Sequence, residues 1–220
     1  MKIEDAYTHW SATYDSDRNL TRDLDQLATE HALKGRSYQN VLELGCGTGK
    51  NTALLSRTGR NVLAVDFSPG MLRQARIKID SKNVLFVVAD LTKPWPCKSE
   101  SFELIACNLV LEHIEDLGTI FAQASRALTE GGLFFISELH PFRQYQGTQA
   151  RFQNDEGTVF IRAFVHHLSD FIEAAEQNGF LFRTMKEWWH DEDQNKSPRL
   201  VSFMFEKPHE THKSTLSSTN

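Results

Sequence analysis

Three glycines alternate at Gly45, Gly47 and Gly49, after the apolar run Val41-Leu42-Glu43-Leu44 and before Thr52 to Arg57, which reads as a helix. Glycine lets the backbone approach a ligand with no Cβ in the way. The start of a helix adds free N–H groups that attract polar ligands. Two familiar ligand classes fit such a turn poorly here. A phosphate-binding loop needs G-x-x-x-x-G-K-[ST]. Gly49-Lys50 is present, but position 44 is Leu and position 51 is Asn, so the hydroxyl that would hold Mg²⁺ is missing. A dinucleotide turn needs G-x-G-x-x-G, and Lys50 stands where its third glycine belongs. Asp66 closes the next β-branched run, 21 positions after Gly45. A carboxylate at that distance can accept from both ribose hydroxyls of a nucleoside.

Such groups work only if strands and helices bring them to one edge. Short apolar runs at 40–44, 61–65, 84–89, 102–107 and 133–138 alternate with helical segments at 52–57, 69–79, 111–115 and 118–128. Residues 180–189 and 200–206 read as two further strands, and 168–177 as a helix. This alternation predicts an α/β fold: a doubly wound, mostly parallel sheet with helices on both faces. Ligands of such sheets lie beyond the carboxyl ends of the strands, where the strand order reverses. Residues 5–34 read as helical, with Tyr7, Trp10 and Tyr14 on one face.

Glu43-x-Gly45-x-Gly47-x-Gly49 resembles the first motif of the class I S-adenosylmethionine-dependent methyltransferases. Further segments match that family in order: Val65-Asp66-Phe67-Ser68-Pro69-Gly70-Met71-Leu72, Val88-Ala89-Asp90-Leu91, Leu109-Val110-Leu111-Glu112-His113-Ile114 and Leu128-Thr129-Glu130-Gly131-Gly132-Leu133. Glu130 stands where proline is usual. The resemblance spans about residues 5–140. It implies a Rossmann-like seven-stranded sheet whose last strand is antiparallel, and S-adenosylmethionine as cofactor. It implies that Gly45, Cys46 and Gly47 line the methionine moiety and that Glu43 binds beside them; the alternative for Glu43 is to order the turn. Asp66 would bind the ribose, Phe67 and Met71 would pack on the adenine, and Ala89, Asp90 and Leu91 would meet its edge. Asn108 would present its carbonyl to the cofactor's ammonium and Arg18 would meet its carboxylate. Tyr14 would close over the cofactor, and His113 would pack against its pocket. For Phe67, Met71 and His113 the alternative is ordinary packing, for Asp90 a cap, for Arg18 a solvated surface.

A general base is needed only if the methyl acceptor carries a proton at neutral pH. Glu138, which ends the fifth strand, and His140 just past it are candidates, followed by His166 and His167. The alternative for His140 is a loop-orienting role. Glu112-His113 is similar to the end of an E-x-x-E-H metal motif, but Leu109 replaces its first acid and cannot ligate, so no metal is expected. Phe142, Tyr145, Phe152, Phe160 and Phe164 suggest an aromatic cap over a planar or hydrophobic small molecule, or the cap's own core.

The net charge is −5 without a basic stripe, which disfavours nucleic acid as partner. No run approaches the roughly 20 apolar residues of a membrane span, and Met1 to Asp5 does not open a signal peptide. Cys46, Cys97 and Cys107 form no C-x-x-C pair and suit a reducing, cytoplasmic setting. The expected organisation is one domain over 1–207, with an N-terminal helical lid at about 1–35, a cap insertion at about 139–167 and a frayed tail at 208–220. The expected protein is a methyltransferase acting on a small-molecule acceptor as a monomer or homodimer. The alternatives are a non-catalytic S-adenosylmethionine-binding module and a nicotinamide-dependent oxidoreductase.

Overall fold

Seven apolar strands pair into one sheet in the computed structural model, which describes residues 3–16, 18–154 and 157–209. In chain order the strands begin β1 (Tyr38–Leu44), β2 (Gly59–Asp66), β3 (Val84–Val88), β4 (Phe102–Asn108) and β5 (Leu128–Leu139). A separate hairpin follows, β6 (Arg151–Asn154) with β7 (Gly157–Phe160), and then β8 (Leu181–Trp188) and β9 (Leu200–Glu206). The spatial order is β3-β2-β1-β4-β5-β9-β8. The first five strands run parallel, and β9 is antiparallel to both β5 and β8. The chain moves outward from β1 through β2 to β3, then returns to pair β4 on the other side of β1. The loops after β1 and β4 therefore part, leaving a crevice at their carboxyl ends.

Successive side chains of a strand face opposite ways, so each apolar strand serves two cores. On one face Phe134, Phe203 and Phe205 pack with Phe121 of α5 (Leu117–Ala127) and Phe171 of α7 (Leu168–Gln177). On the other, Val41, Val62 and Phe135 pack with Leu33 of α2 (Leu20–Leu33) and Leu55 of α3 (Thr52–Thr58). Helix α4 (Pro69–Lys78) follows β2, with Ser68 as its N-cap accepting from the Met71 N–H.

The N-terminal region read as helical over 5–34 is two helices. Helix α1 (Ile3–Trp10) ends in a turn, and α2 restarts after Asn19, whose side-chain oxygen accepts from Thr21 and Arg22 N–H. Between them the Ser11 and Ser16 hydroxyls bond back to carbonyls three residues earlier, the local competition that ends helices. The segment 111–115 is shorter than expected, a single 3-10 turn at Leu111–His113. In the cap, α6 (Pro141–Tyr145) precedes the β6–β7 hairpin, and Ile161 packs against Ala6 and Trp10 of α1. Of the tail read from Pro208 onward, residues 210–220 lie outside the described residues, as do Met1 and Lys2 and the Phe152 side chain. Among the described residues no helix is long and apolar enough to cross a membrane.

Candidate active site

A cavity of about 400 Å³ opens at the carboxyl ends of β1, β2 and β4 and is walled by α1 and α2. Its floor is the glycine turn. Gly45 has φ +67° and Gly47 φ +52°, the left-handed region that costs residues with a Cβ. A Cβ on Gly45 would lie 2.2 Å from the Val110 Cγ2, so at the base of the crevice the Val110 side chain can pack over the turn only without it. A Cβ on Gly47 would have no protein atom within 4 Å, so it would stand in the cavity itself. The turn is fastened by the Cys46 N–H, which donates to the Val65 carbonyl at 3.0 Å.

Asp66 joins two loops. Its Oδ2 accepts from the Gly47 N–H at 2.9 Å and its Oδ1 from the Ser68 N–H at 2.8 Å. Burial pushes its carboxyl up to about 6 against the pull of those two N–H groups. Phe67, Met71, Ala89 and Leu91 line the same cavity beside it. Met71 is also almost wholly buried, so it serves core and wall together. Asp90 lines the rim while its Oδ1 accepts from both the N–H and the hydroxyl of Thr92. It is thus the cap of its own turn as well.

Glu43 lines the cavity from beneath, where its Oε2 accepts from the Thr52 hydroxyl at 2.5 Å. Burial raises its carboxyl to about 8, and the charges of Asp66 and Asp25 push the same way. The folded value lies above the unfolded one, so its contribution to stability is complete below about pH 4.3 and is lost as pH rises toward 8. Glu43→Gln is therefore expected to raise the ligand-free melting temperature more at pH 8.5 than at pH 5. A melting series with an equal change at both values would remove this account.

Asn108 closes β4. Its Nδ2 donates to Asp25 Oδ1 and to the Thr29 hydroxyl, both at 2.8 Å, while its Oδ1 is buried with no partner among the described residues. Tyr14 lines the cavity under the Arg22 guanidinium, 4.0 Å above its ring. His113 forms the far wall. Its Nδ1 lies 2.9 Å from the Arg162 carbonyl and its Nε2 2.7 Å from the Tyr7 hydroxyl. A carbonyl only accepts, so Nδ1 carries the hydrogen and Nε2 accepts from Tyr7.

Five expected site residues stand outside the cavity. Arg18 is exposed, pairs with Glu192 and lines a separate polar recess with Asp15 and Asp23. His140 is fully buried as the N-cap of α6, where Nδ1 accepts from the Phe142 N–H and Nε2 donates to Glu187. Burial lowers its readiness to protonate, opposed by Glu187, and neither nitrogen is free to act as a base. Glu138 faces inward, with Oε1 accepting from the Val110 and Leu111 N–H groups at 2.9 Å. It therefore positions the turn that carries His113 and does not itself reach the cavity. His166 is buried against the Leu111 and Ile114 carbonyls, and His167 is exposed and bonded to the Tyr145 hydroxyl. Phe142, Tyr145 and Phe160 of the cap are exposed and do not line the cavity.

The cavity also holds residues to which the sequence motifs gave no role: Tyr7, Arg22, Asp25 and Asn51. Tyr7 was visible only as one member of an aromatic stripe on a helix. Asp25 carried no signal, because its neighbours in the site are 26 and 83 positions away.

A family model described as a methyltransferase domain matches residues 42–136. Those residues carry the glycine turn, Asp66, Asn108 and His113. The chain belongs to the class I S-adenosylmethionine-dependent methyltransferases. It is 29% identical to an uncharacterized methyltransferase of Emericella nidulans over 215 residues, covering 80% of this chain and 74% of that one. It is 30% identical to a ubiquinone biosynthesis O-methyltransferase of Xanthomonas campestris pv. campestris over 168 residues, covering 72% of this chain and 65% of that one. Its fold is similar to that of a crystal structure from Listeria monocytogenes described as an S-adenosylmethionine-dependent methyltransferase. The TM-score is 0.74 at 19% identity, over 87% of this chain and 100% of that one. S-adenosylmethionine is the cofactor of this methyltransferase. Its residues fit that cofactor: bare glycine backbone on the floor, a buried carboxylate, Asp66, lining the cavity beside it, and the apolar side chains of Phe67, Met71 and Leu91 along the wall.

Proposed function

We propose that this methyltransferase transfers the methyl group of S-adenosylmethionine to a hydroxyl or amine of a small, planar, largely apolar acceptor. The observation that carries this reading is the joining of two unlike walls in one cavity. The glycine turn, Asp66 and Phe67 form one, and the Tyr7–His113 pair with Val110 and Ile114 forms the other. Bound S-adenosylmethionine supplies a methyl carbon made electrophilic by its positive sulfur. The chain supplies the rest. Asp66 and the glycine turn hold the nucleoside, with Phe67 and Met71 against its base. Helix α1 covers the cavity and keeps water out, as a lid would. His113 Nε2, its tautomer held by the Arg162 carbonyl, takes the acceptor's proton through Tyr7, whose hydroxyl receives that proton as it passes its own to Nε2. The name of the Xanthomonas relative supports a small-molecule acceptor, and the size and apolar wall of the cavity suit one.

The test is transfer of a labelled methyl group from S-adenosylmethionine to a panel of small phenols, enols and aromatic amines. Turnover of a panel member is expected, along with a melting shift by S-adenosylhomocysteine and none by NAD. A shift by NAD alone would return the oxidoreductase alternative, and tight cofactor binding with no turnover on any panel the non-catalytic one. With a responsive acceptor, His113→Gln is expected to lower kcat by about 10²- to 10⁴-fold. Its S-adenosylhomocysteine affinity should stay within about threefold. Equal losses in both quantities would make His113 a part of the cofactor site instead.

A further inference from the structure

Tyr7 shares a face of α1 with Ile3 and Glu4, which stand four and three positions before it. All three line the cavity. The helix that brings Tyr7 to His113 therefore also sets a carboxylate one helical turn away. Glu4 is exposed at the mouth, and among the described residues its carboxylate makes no ion pair or hydrogen bond. Behind the same wall lie two buried carboxyls, Glu112 at 8% exposure and Glu138 at 2%. The Oε2 of each has no partner among the described residues. Burial raises the Tyr7 phenol, and the charges of Tyr14, Glu112, Asp66 and Glu138 push it the same way. A wall with that field disfavours an anionic acceptor and favours a cation. The permanent cations of the cavity stand elsewhere. The Arg22 guanidinium lies over the Tyr14 ring, and Lys50 pairs with Asp23. Arg162, whose carbonyl faces His113, extends its guanidinium over the Phe164 ring and does not line the cavity.

We infer that the acceptor carries a protonated amine about one helical turn from its methyl-accepting group, and that Glu4 receives this amine at the mouth of the cavity. The inference rests on the acceptor reading above and narrows it to aryl-alkylamines, planar molecules whose short side chain ends in an ammonium. Glu4 has no other ion pair to give up for that contact, and the reacting group is left to Tyr7 and His113. A carboxylate in the first turn of a helix also complements the positive end of the helix. Asp5 stands in the same turn and does not line the cavity, so the two roles fall on separable residues.

The experiment is calorimetric titration, at low salt, of protein saturated with S-adenosylhomocysteine. Three probes share one shape and differ in charge: tyramine, 4-ethylphenol and 4-hydroxyphenylacetate. Tyramine is expected to bind about 5- to 20-fold more tightly than 4-ethylphenol, the range of one partly screened ion pair. The anionic 4-hydroxyphenylacetate should bind most weakly, and added salt should narrow the whole series. Glu4→Gln should bring tyramine to the level of 4-ethylphenol and leave 4-ethylphenol unchanged, while Asp5→Asn should keep the wild-type order. Equal binding of tyramine and 4-ethylphenol, a preference that survives Glu4→Gln, or one lost equally in Asp5→Asn would overturn the assignment of Glu4. Each of those results leaves the planar-acceptor reading standing. Protein that takes S-adenosylhomocysteine but none of the three probes would overturn both.

Discussion

Asp66→Ala is expected to weaken S-adenosylhomocysteine binding by at least about 100-fold, as two charge-assisted hydrogen bonds to the ribose are lost. The geometry adds a second effect. Both carboxylate oxygens already accept from backbone N–H groups, one in the turn after β1 and one before α4. The substitution therefore loosens the cradle as well as emptying it, and a moderate fall in melting temperature is expected alongside. The pH dependence separates the two effects. The folded, ligand-free carboxyl sits at about 6, raised by burial. Ribose hydroxyls donate to the ionised form, so wild-type affinity should fall as pH drops below about 6, approaching tenfold per unit. Asp66→Ala should show no such limb. Calorimetry across pH 4.5–8 decides the matter: a flat wild-type profile, or an Asp66→Ala affinity within threefold of wild type, would move the ribose elsewhere.

The second large effect concerns assembly of the site. Gly45→Ala is expected to destabilise the protein by about 2–4 kcal/mol. About 1–2 kcal/mol comes from a left-handed φ with a Cβ, and the rest from overlap with Val110, which the backbone must yield to. For a chain of this size that is a fall of roughly 5–15 °C in melting temperature. The two causes can be told apart. Val110→Ala removes both Cγ atoms nearest the added methyl, so in the double variant the overlap part should return and the φ part remain. The double variant melting below the sum of its two single changes would refute the proposed contact, as would a Gly45→Ala protein that melts like wild type.

Much of the cavity lining could be read from the chain alone, because it is built from local motifs. A glycine turn, the acid closing the next strand and the residue ending β4 each sit at a strand terminus, and a parallel sheet brings strand termini together. Thirteen of the fourteen residues expected to hold the cofactor line the cavity. Arg18 does not, because the turn before α2 carries it outward to Glu192. The base candidates fared differently. His140, His166 and His167 follow β5 in sequence as a substrate wall should. Yet the chain uses one as a helix cap, buries one against carbonyls and leaves one on the surface. His113 was read as a cofactor neighbour, and its tautomer became visible only when the Arg162 carbonyl, 49 positions away, was seen beside it.

Sequence by itself determined the α/β class, a mostly parallel sheet and the glycine turn at the floor of the cleft. The physical reason is periodicity: apolar runs and glycine punctuation specify strands and turns within a few residues of themselves. Only the tertiary structure decided which polar groups share a space. Asp25, Asn51 and Asn108 come from a helix, a helix cap and a strand end, and nothing local links them. They meet because α2 packs across the sheet at Leu33 while β4 returns beside β1. Which side chains line the cavity together, and so what a ligand meets there, is a property of that packing.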